Sequence, residues 1–110
     1  MKTFVINGKE YRAKEFDFNL MCDLEDMGIV METAMEKPTS TTRAYFSLCC
    51  GLGKEYAGKE LEEHIKKGGN LSDVMIAMSE EMEKSDFFRA LQQTAEEEVA
   101  ENPKTKKEKQ

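Results

Sequence analysis

The chain opens on a strand-like pattern. Phe4-Val5-Ile6 is aromatic and β-branched, and Tyr11-Arg12-Ala13 answers it across Asn7-Gly8. Asn-Gly is the favoured pair for a type I′ turn, because both central residues need positive φ. The pattern predicts strands over 2–6 and 9–14, with Ile6 opposite Lys9 and Phe4 opposite Tyr11. Phe4, Ile6, Tyr11 and Ala13 then form one apolar face. A two-stranded ribbon is marginal in water, so that face must lie on helices. Lysines along the outer edges discourage further strand pairing.

The apolar period then changes to that of a helix. Asp17 is a good N-cap, and Phe16 and Met21 flank it at hydrophobic-staple spacing. Leu20, Leu24 and Met27 share a face, while Asp23, Glu25 and Asp26 look to water. Gly28 fits the close of this helix, and Met31 and Met35 carry the period on, either into a second short helix over 30–36 or along one helix with Gly28 inside it; the break is the favoured reading. Pro38 ends that segment, and Thr39-Ser40-Thr41-Thr42 supplies caps for the next helix. That helix places Tyr45, Leu48, Cys49 and Leu52 along one stripe with Ala44 beside them. Residues 54–58 read as a connector with Tyr56 pointing inward. A short helix over 59–67 carries Leu61 and Ile65 and stops at Gly68-Gly69. Asn70 or Ser72 caps a helix with Leu71, Val74, Met75, Met78 and Met82 on one face. Ser85-Asp86 starts a last helix bearing Phe87, Phe88 and Leu91, which frays through Glu96-Glu97-Glu98. From Asn102-Pro103 the Lys-rich end cannot pack and is expected to be disordered. The predicted fold is mainly α, a small helical bundle with an N-terminal two-stranded β-hairpin (α+β). It occupies residues 1–95, followed by a charged tail over 96–110.

Length and charge narrow the function. With 110 residues the chain can bury one core without disulfides or metal. It has no apolar run near the ~20 residues a membrane helix needs and no secretory-signal pattern at its start, so an intracellular protein is expected. Residues 1–102 carry twelve basic and twenty-one acidic groups, whereas 103–110 carry four and one. An acidic body argues against nucleic acid, whose phosphates need clustered Lys and Arg.

Candidate chemistry is sparse. The cysteines, Cys22, Cys49 and Cys50, are odd in number and two are adjacent, a poor disulfide pair. Only His64 could join them at zinc, without the usual ligand spacing, so no metal is expected and the thiols read as small apolar side chains. No nucleophile elbow, phosphate loop, dinucleotide fingerprint or zinc-protease motif occurs. His64, among Glu62, Glu63, Lys66 and Lys67, reads as exposed, and Glu80-Glu81-Glu83 and Glu96-Glu97-Glu98 read as solvated faces. A non-enzymatic protein without cofactor is expected.

Methionine is the excess that changes this picture. There are eight, and Met27, Met31, Met75, Met78 and Met82 fall on helical stripes. Flexible thioethers fill irregular cores, and they also make surfaces that re-pack around varied apolar partners. Five helices of this length leave little interior for all of them. The segment from Met31 to Met35 and the pair Phe87-Phe88 are expected to be exposed. Met31, Met35, Phe87, Phe88 and Leu91 are therefore the candidate partner-binding residues.

The order of features carries a resemblance. The opening Ile-Asn-Gly-Lys-Glu-Tyr is followed by Phe-Asp-Phe-Asn-Leu-Met-Cys-Asp-Leu-Glu-Asp-Met-Gly-Ile. Then come a Thr-rich start, an apolar helix, a Lys-Glu-Leu helix, and Ser-Asp-Phe-Phe before a charged tail. This resembles the tail assembly chaperones of long-tailed (siphovirus-type) bacteriophages and prophages. It is strongest over residues 4–29, at Asn7-Gly8-Lys9-Glu10-Tyr11 and Leu24-Glu25-Asp26-Met27-Gly28-Ile29. Over residues 40–93 it lies in helix order rather than in letters. The resemblance implies a chaperone that coats the long apolar tape measure protein until tail-tube subunits polymerise around it. It also implies action in the host bacterial cytoplasm, absence from the mature virion, and a possible homo-oligomer. In such phages a ribosomal frameshift adds an extension that recruits the tail-tube protein. Lys104, Lys106, Lys107 and Lys109 are compatible with an adenine-rich slippery site. The competing expectation is a small acidic adaptor or inhibitor that covers a basic protein partner.

Overall fold

The computed structural model describes the backbone of residues 2–101 and the side chains of residues 2–93. It is mainly helical, with an N-terminal antiparallel hairpin, β1 (Thr3–Ile6) and β2 (Lys9–Arg12). The register is the one the turn dictates, with Phe4 opposite Tyr11 and Ile6 opposite Lys9. Asn7 (φ 56°) and Gly8 (φ 80°) both take the positive φ of a type I′ turn. The Ala13 amide donates to the Lys2 carbonyl at 2.8 Å, adding one more rung. Phe4, Ile6 and Ala13 are buried, and half-buried Tyr11 sets its ring edge-on against Phe46 at 4.9 Å.

Five helices follow: α1 (Phe18–Asp26), α2 (Pro38–Cys50), α3 (Lys54–Lys66), α4 (Ser72–Lys84) and α5 (Asp86–Glu101). Asp17 caps α1, its carboxylate accepting from the Leu20 amide at 2.8 Å. Leu20 and Leu24 point into the core, and Gly28, at φ 88°, closes the helix where a side chain would be strained. The helix expected over 30–36 is reduced to turns and a single 3-10 turn, Ala34–Glu36. Buried neighbours explain this: Ile29 and Ala34 are each drawn into the core, and the four residues between them do not complete a stable helix.

The central helix is α2, which touches α1, α3, α4 and the hairpin. Pro38 opens it rather than ending what precedes, because a missing N–H costs nothing at the first helical position. The Thr cluster expected to cap it lies inside the helix. The Thr41 hydroxyl donates to the Ala34 carbonyl and the Thr42 hydroxyl to the Pro38 carbonyl, both at 2.8 Å. The expected stripe is also revised. Leu52 is exposed and Leu48 and Cys49 are half-buried, while Thr41, Thr42, Ala44, Tyr45, Phe46 and Ser47 are buried. Because helices cover one side of α2 and the hairpin another, its buried arc is wider than a single stripe.

The expected connector over 54–58 is helical, so α3 begins at Lys54; Ala57 points inward and Tyr56 outward. Leu61 is buried, but Ile65 is 50% exposed. His64 is half-buried, not free in water: its Nδ1 accepts from the Asn7 amide at 2.9 Å, tying α3 to the hairpin turn. The Asn7 side chain continues the tie, donating to Glu60 and accepting from Lys67.

In α4 the inward residues are Val74, Ala77, Met78 and Glu81. Ala77 and Glu81 turn the buried face by roughly 60° from the expected Leu71-Val74-Met75-Met78-Met82 face, at about 100° per residue. Glu81 is accordingly buried instead of solvated. Lys84 stands 3.1 Å from its Oε2 as an ion pair, without the alignment of a hydrogen bond. Neither Asn70 nor Ser72 caps α4 as expected: the N-cap is Leu71, without a side-chain hydrogen bond, and Asn70 closes the turn before it by accepting from the Ser72 amide at 2.9 Å. Ser85 starts α5 by accepting from the Phe88 amide at 3.0 Å, and its hydroxyl donates to the Phe16 carbonyl. The expected disordered tail from residue 102 lies outside the described residues.

Candidate partner-binding surface

The surface begins with the rotation of α4. Turning Ala77 and Glu81 inward moves Met75 and Met82 to the flank, and Met75 becomes exposed. Beside them lies a small apolar cleft of about 50 Å³, walled by Met35, Pro38 and Thr41 on one side and Met75, Ser79 and Met82 on the other. A wider cleft of about 350 Å³ continues from Ser79 and Met82 to Phe88, Arg89 and Gln92. Because Ser79 and Met82 line both, the two form one groove along α4. Its walls are thioethers and an aromatic ring, with Glu83 and Arg89 at the rim.

The five sequence candidates divide. Met35, on the 3-10 turn, is 78% exposed and lines the groove. Phe88 lines the wider cleft but is half-buried, its ring edge-on to buried Phe16 at 5.3 Å. Leu91, one turn further along α5, is 41% exposed. Phe87 is half-buried on another side of α5, edge-on to Phe18 at 5.8 Å. Met31 is half-buried and packs against the core. Thus Met35 and Phe88 share one groove with Leu91 close by in sequence, whereas Phe87 and Met31 belong to other contacts.

Phe18 and Ile76 are among the exposed apolar residues that the sequence did not single out. Phe18 is 62% exposed. It stands two residues before buried Leu20, on the opposite side of α1 by helical period, so its position was readable. Ile76 is also exposed, and the rotation of α4 that puts it there is visible only in the packing.

From Arg89 to Gln93 every described side chain of α5 is exposed.

The remaining chemistry is structural. The Tyr45 hydroxyl donates to the Lys14 carbonyl at 2.7 Å and accepts from the Lys14 amide at 2.9 Å, with its ring fully buried. Burial raises its phenol above the ordinary tyrosine value and pushes the Cys49 thiol up to about 11. Cys22, Cys49 and Cys50 are free and half-buried. Among the described residues no cluster of three or more His, Cys, Asp or Glu could hold a metal ion. No helix among them is long and apolar enough to cross a membrane. Compared with protein-family models, curated proteins and solved structures, the chain matches none.

Proposed function

We propose that this chain is a non-enzymatic tail assembly chaperone that shelters amphipathic helical stretches of a tape measure protein. One observation carries the reading. Met35 and Met75 remain exposed along a groove built from re-packable methionines, where a partner helix can lay its apolar face. The hairpin and first helix, where the family resemblance is strongest, support it. So does the acidic body, which keeps a protein with open apolar faces soluble. The client is held in the host cytoplasm by several weak contacts and surrendered when tail-tube protein polymerises. A frameshifted extension beyond the charged tail would recruit the tube subunits.

Co-expression with the tape measure protein tests this reading. The wild-type chain keeps the client in the soluble fraction. Met35→Asp combined with Met75→Asp returns it to the pellet, while the circular dichroism of the chaperone is unchanged. A client that stays soluble with this folded double variant removes the groove from the mechanism. A client that aggregates with the wild-type chain removes the function.

A further inference from the structure

The clearest unassigned feature lies on the other side of α2 from the methionine groove. Pro38, Thr41 and Thr42 face that groove, whereas Thr39, Ser40 and Arg43 stand about half a helical turn around. A pocket of about 160 Å³ there is lined by Lys37, Arg43 and Lys54, with Ser40, Ala44 and the Met27-Gly28-Ile29 segment, and by no carboxylate. This is unusual in so acidic a body. Lys2, Lys66, Lys84 and Arg89 each pair with an acid, and Lys9 and Lys67 each donate to a neutral oxygen. Among the described residues, Lys37, Arg43 and Lys54 have no such side-chain partner, and neither do Arg12, Lys14 and Lys59; what sets the first three apart is that one pocket gathers them. Lys37 caps α2 without a side-chain hydrogen bond, and no acid occupies the first turn of that helix. Cations disfavour helix starts, so this placement works against local stability. Such a conflict is expected where a site serves recognition.

The pocket does not stand alone. Ser40 and Arg43 also wall a cleft of about 330 Å³ between α2 and α3, floored by Leu61, Ile65 and Leu71. Its rim carries Glu62 and Lys66, which pair at 3.4 Å and so cancel. Three uncompensated cations thus abut an apolar trough at one shared arginine.

We infer that this composite site docks a partner-protein segment in which a Glu or Asp adjoins a branched aliphatic side chain. The carboxylate sits among Lys37, Arg43 and Lys54, and the aliphatic group covers Leu61, Ile65 and Leu71. Charge complementarity selects the anion, since carboxylates are held best by charge-assisted bonds from Arg and Lys. The trough is open-sided, with Ile65 and Arg43 exposed, so a peptide backbone can lie across it; a free fatty acid is better served by an enclosed tunnel. This site is independent of the chaperone reading.

The probe is a short acetylated helical peptide of Leu, Ala and Glu, with Glu beside Leu, titrated into the full chain and followed by amide shifts. A peptide with Gln for every Glu is the comparison. The Glu peptide shifts Ser40, Arg43, Lys54, Leu61 and Ile65, and the Gln peptide binds about tenfold or more weaker. Arg43→Gln with Lys54→Gln, or Ile65→Ser alone, weakens the Glu peptide by about the same factor, and Arg43→Lys restores part of it. These positions are exposed, and unchanged circular dichroism confirms that the variants fold. Equal binding of the Glu and Gln peptides overturns the proposal, as do shifts confined to the Met35–Leu91 side. Shifts at this site from inorganic phosphate or laurate, with none from the peptide, overturn it in favour of a small anion or a lipid.

Discussion

Tyr45→Phe isolates the strongest non-local tie in the fold. The substitution keeps the ring that fills the core and removes only the hydroxyl. That oxygen makes two hydrogen bonds to one residue, at 2.9 Å from the Lys14 amide and 2.7 Å to the Lys14 carbonyl. Lys14 leads out of the hairpin, and α2 lies thirty-one residues further along, so the pair fixes the hairpin on the bundle. Each bond contributes about 1 kcal/mol net, and a buried group left unpaired costs about 1–3 kcal/mol. The Lys14 side chain is exposed, so water reaches part of the vacated site, and a total of about 2–3 kcal/mol follows. For a domain of this size that lowers Tm by roughly 10–20 °C. Urea denaturation followed by circular dichroism measures the loss, and hydrogen exchange at the Lys14 amide locates it. A loss below about 0.5 kcal/mol, or an amide that stays fully protected, refutes the reasoning.

Other perturbations probe separate features. Gly69→Ala drives a methyl group into the His64 ring. It and His64→Ala each cost about 1 kcal/mol by breaking the bond to Asn7, and their double mutant is less than additive; strict additivity means that Gly69 acts elsewhere. Stability falls as pH rises above about 9, because the unfolded chain ionises Cys49 and Tyr45 before the folded chain does and so holds fewer protons. Urea midpoints across the alkaline range, flattened in Cys49→Ala, check this. Glu81→Leu removes a buried carboxylate oxygen without a hydrogen bond and frees an exposed lysine, so urea titration should show stability unchanged or raised by about 1 kcal/mol. A loss of more than that shows that the buried acid is structural.

The parts that could be read ahead were those written in local chemistry. Asn7-Gly8 dictates turn type, register and the face carrying Phe4 and Ile6, and Asp17 and Gly28 mark both ends of α1. What could not be read depended on distant partners. Residues 54–58 read as a connector, yet they form the first turns of α3, where Gly58 packs beside the Arg43 stem. Phe46 beside Tyr45 breaks a one-stripe pattern, and only the hairpin rings that cover it explain its burial. His64 sits among four charged neighbours in sequence, so nothing local announces a bond to a residue fifty-seven positions away. Of the candidate binding residues, Met35 and Leu91 were placed outside by simple crowding. Phe88 was half misjudged, because the Ser85 cap turns its ring onto Phe16.

The methionine groove and the cationic pocket are both consequences of how α2 is used. A helix buried over most of its circumference leaves two seams, one against α4 and one against α3. At the α4 seam, a small alanine and an acid join Val74 and Met78 at the inward positions, so Met75 and Met82 are left on the flank. At the α3 seam, Arg43 fills the space that Gly58 leaves open, its Cδ coming within 3.4 Å of where a Cβ would stand. The arginine stem is thereby held against α3 while its guanidinium remains at the rim between pocket and trough. Neither seam is a packing accident that a larger core residue would simply close. Turning Met75 and Met82 inward would carry Glu81 outward, and a side chain at Gly58 would come against the Arg43 stem at 3.4 Å. Either change would reshape the surface it borders.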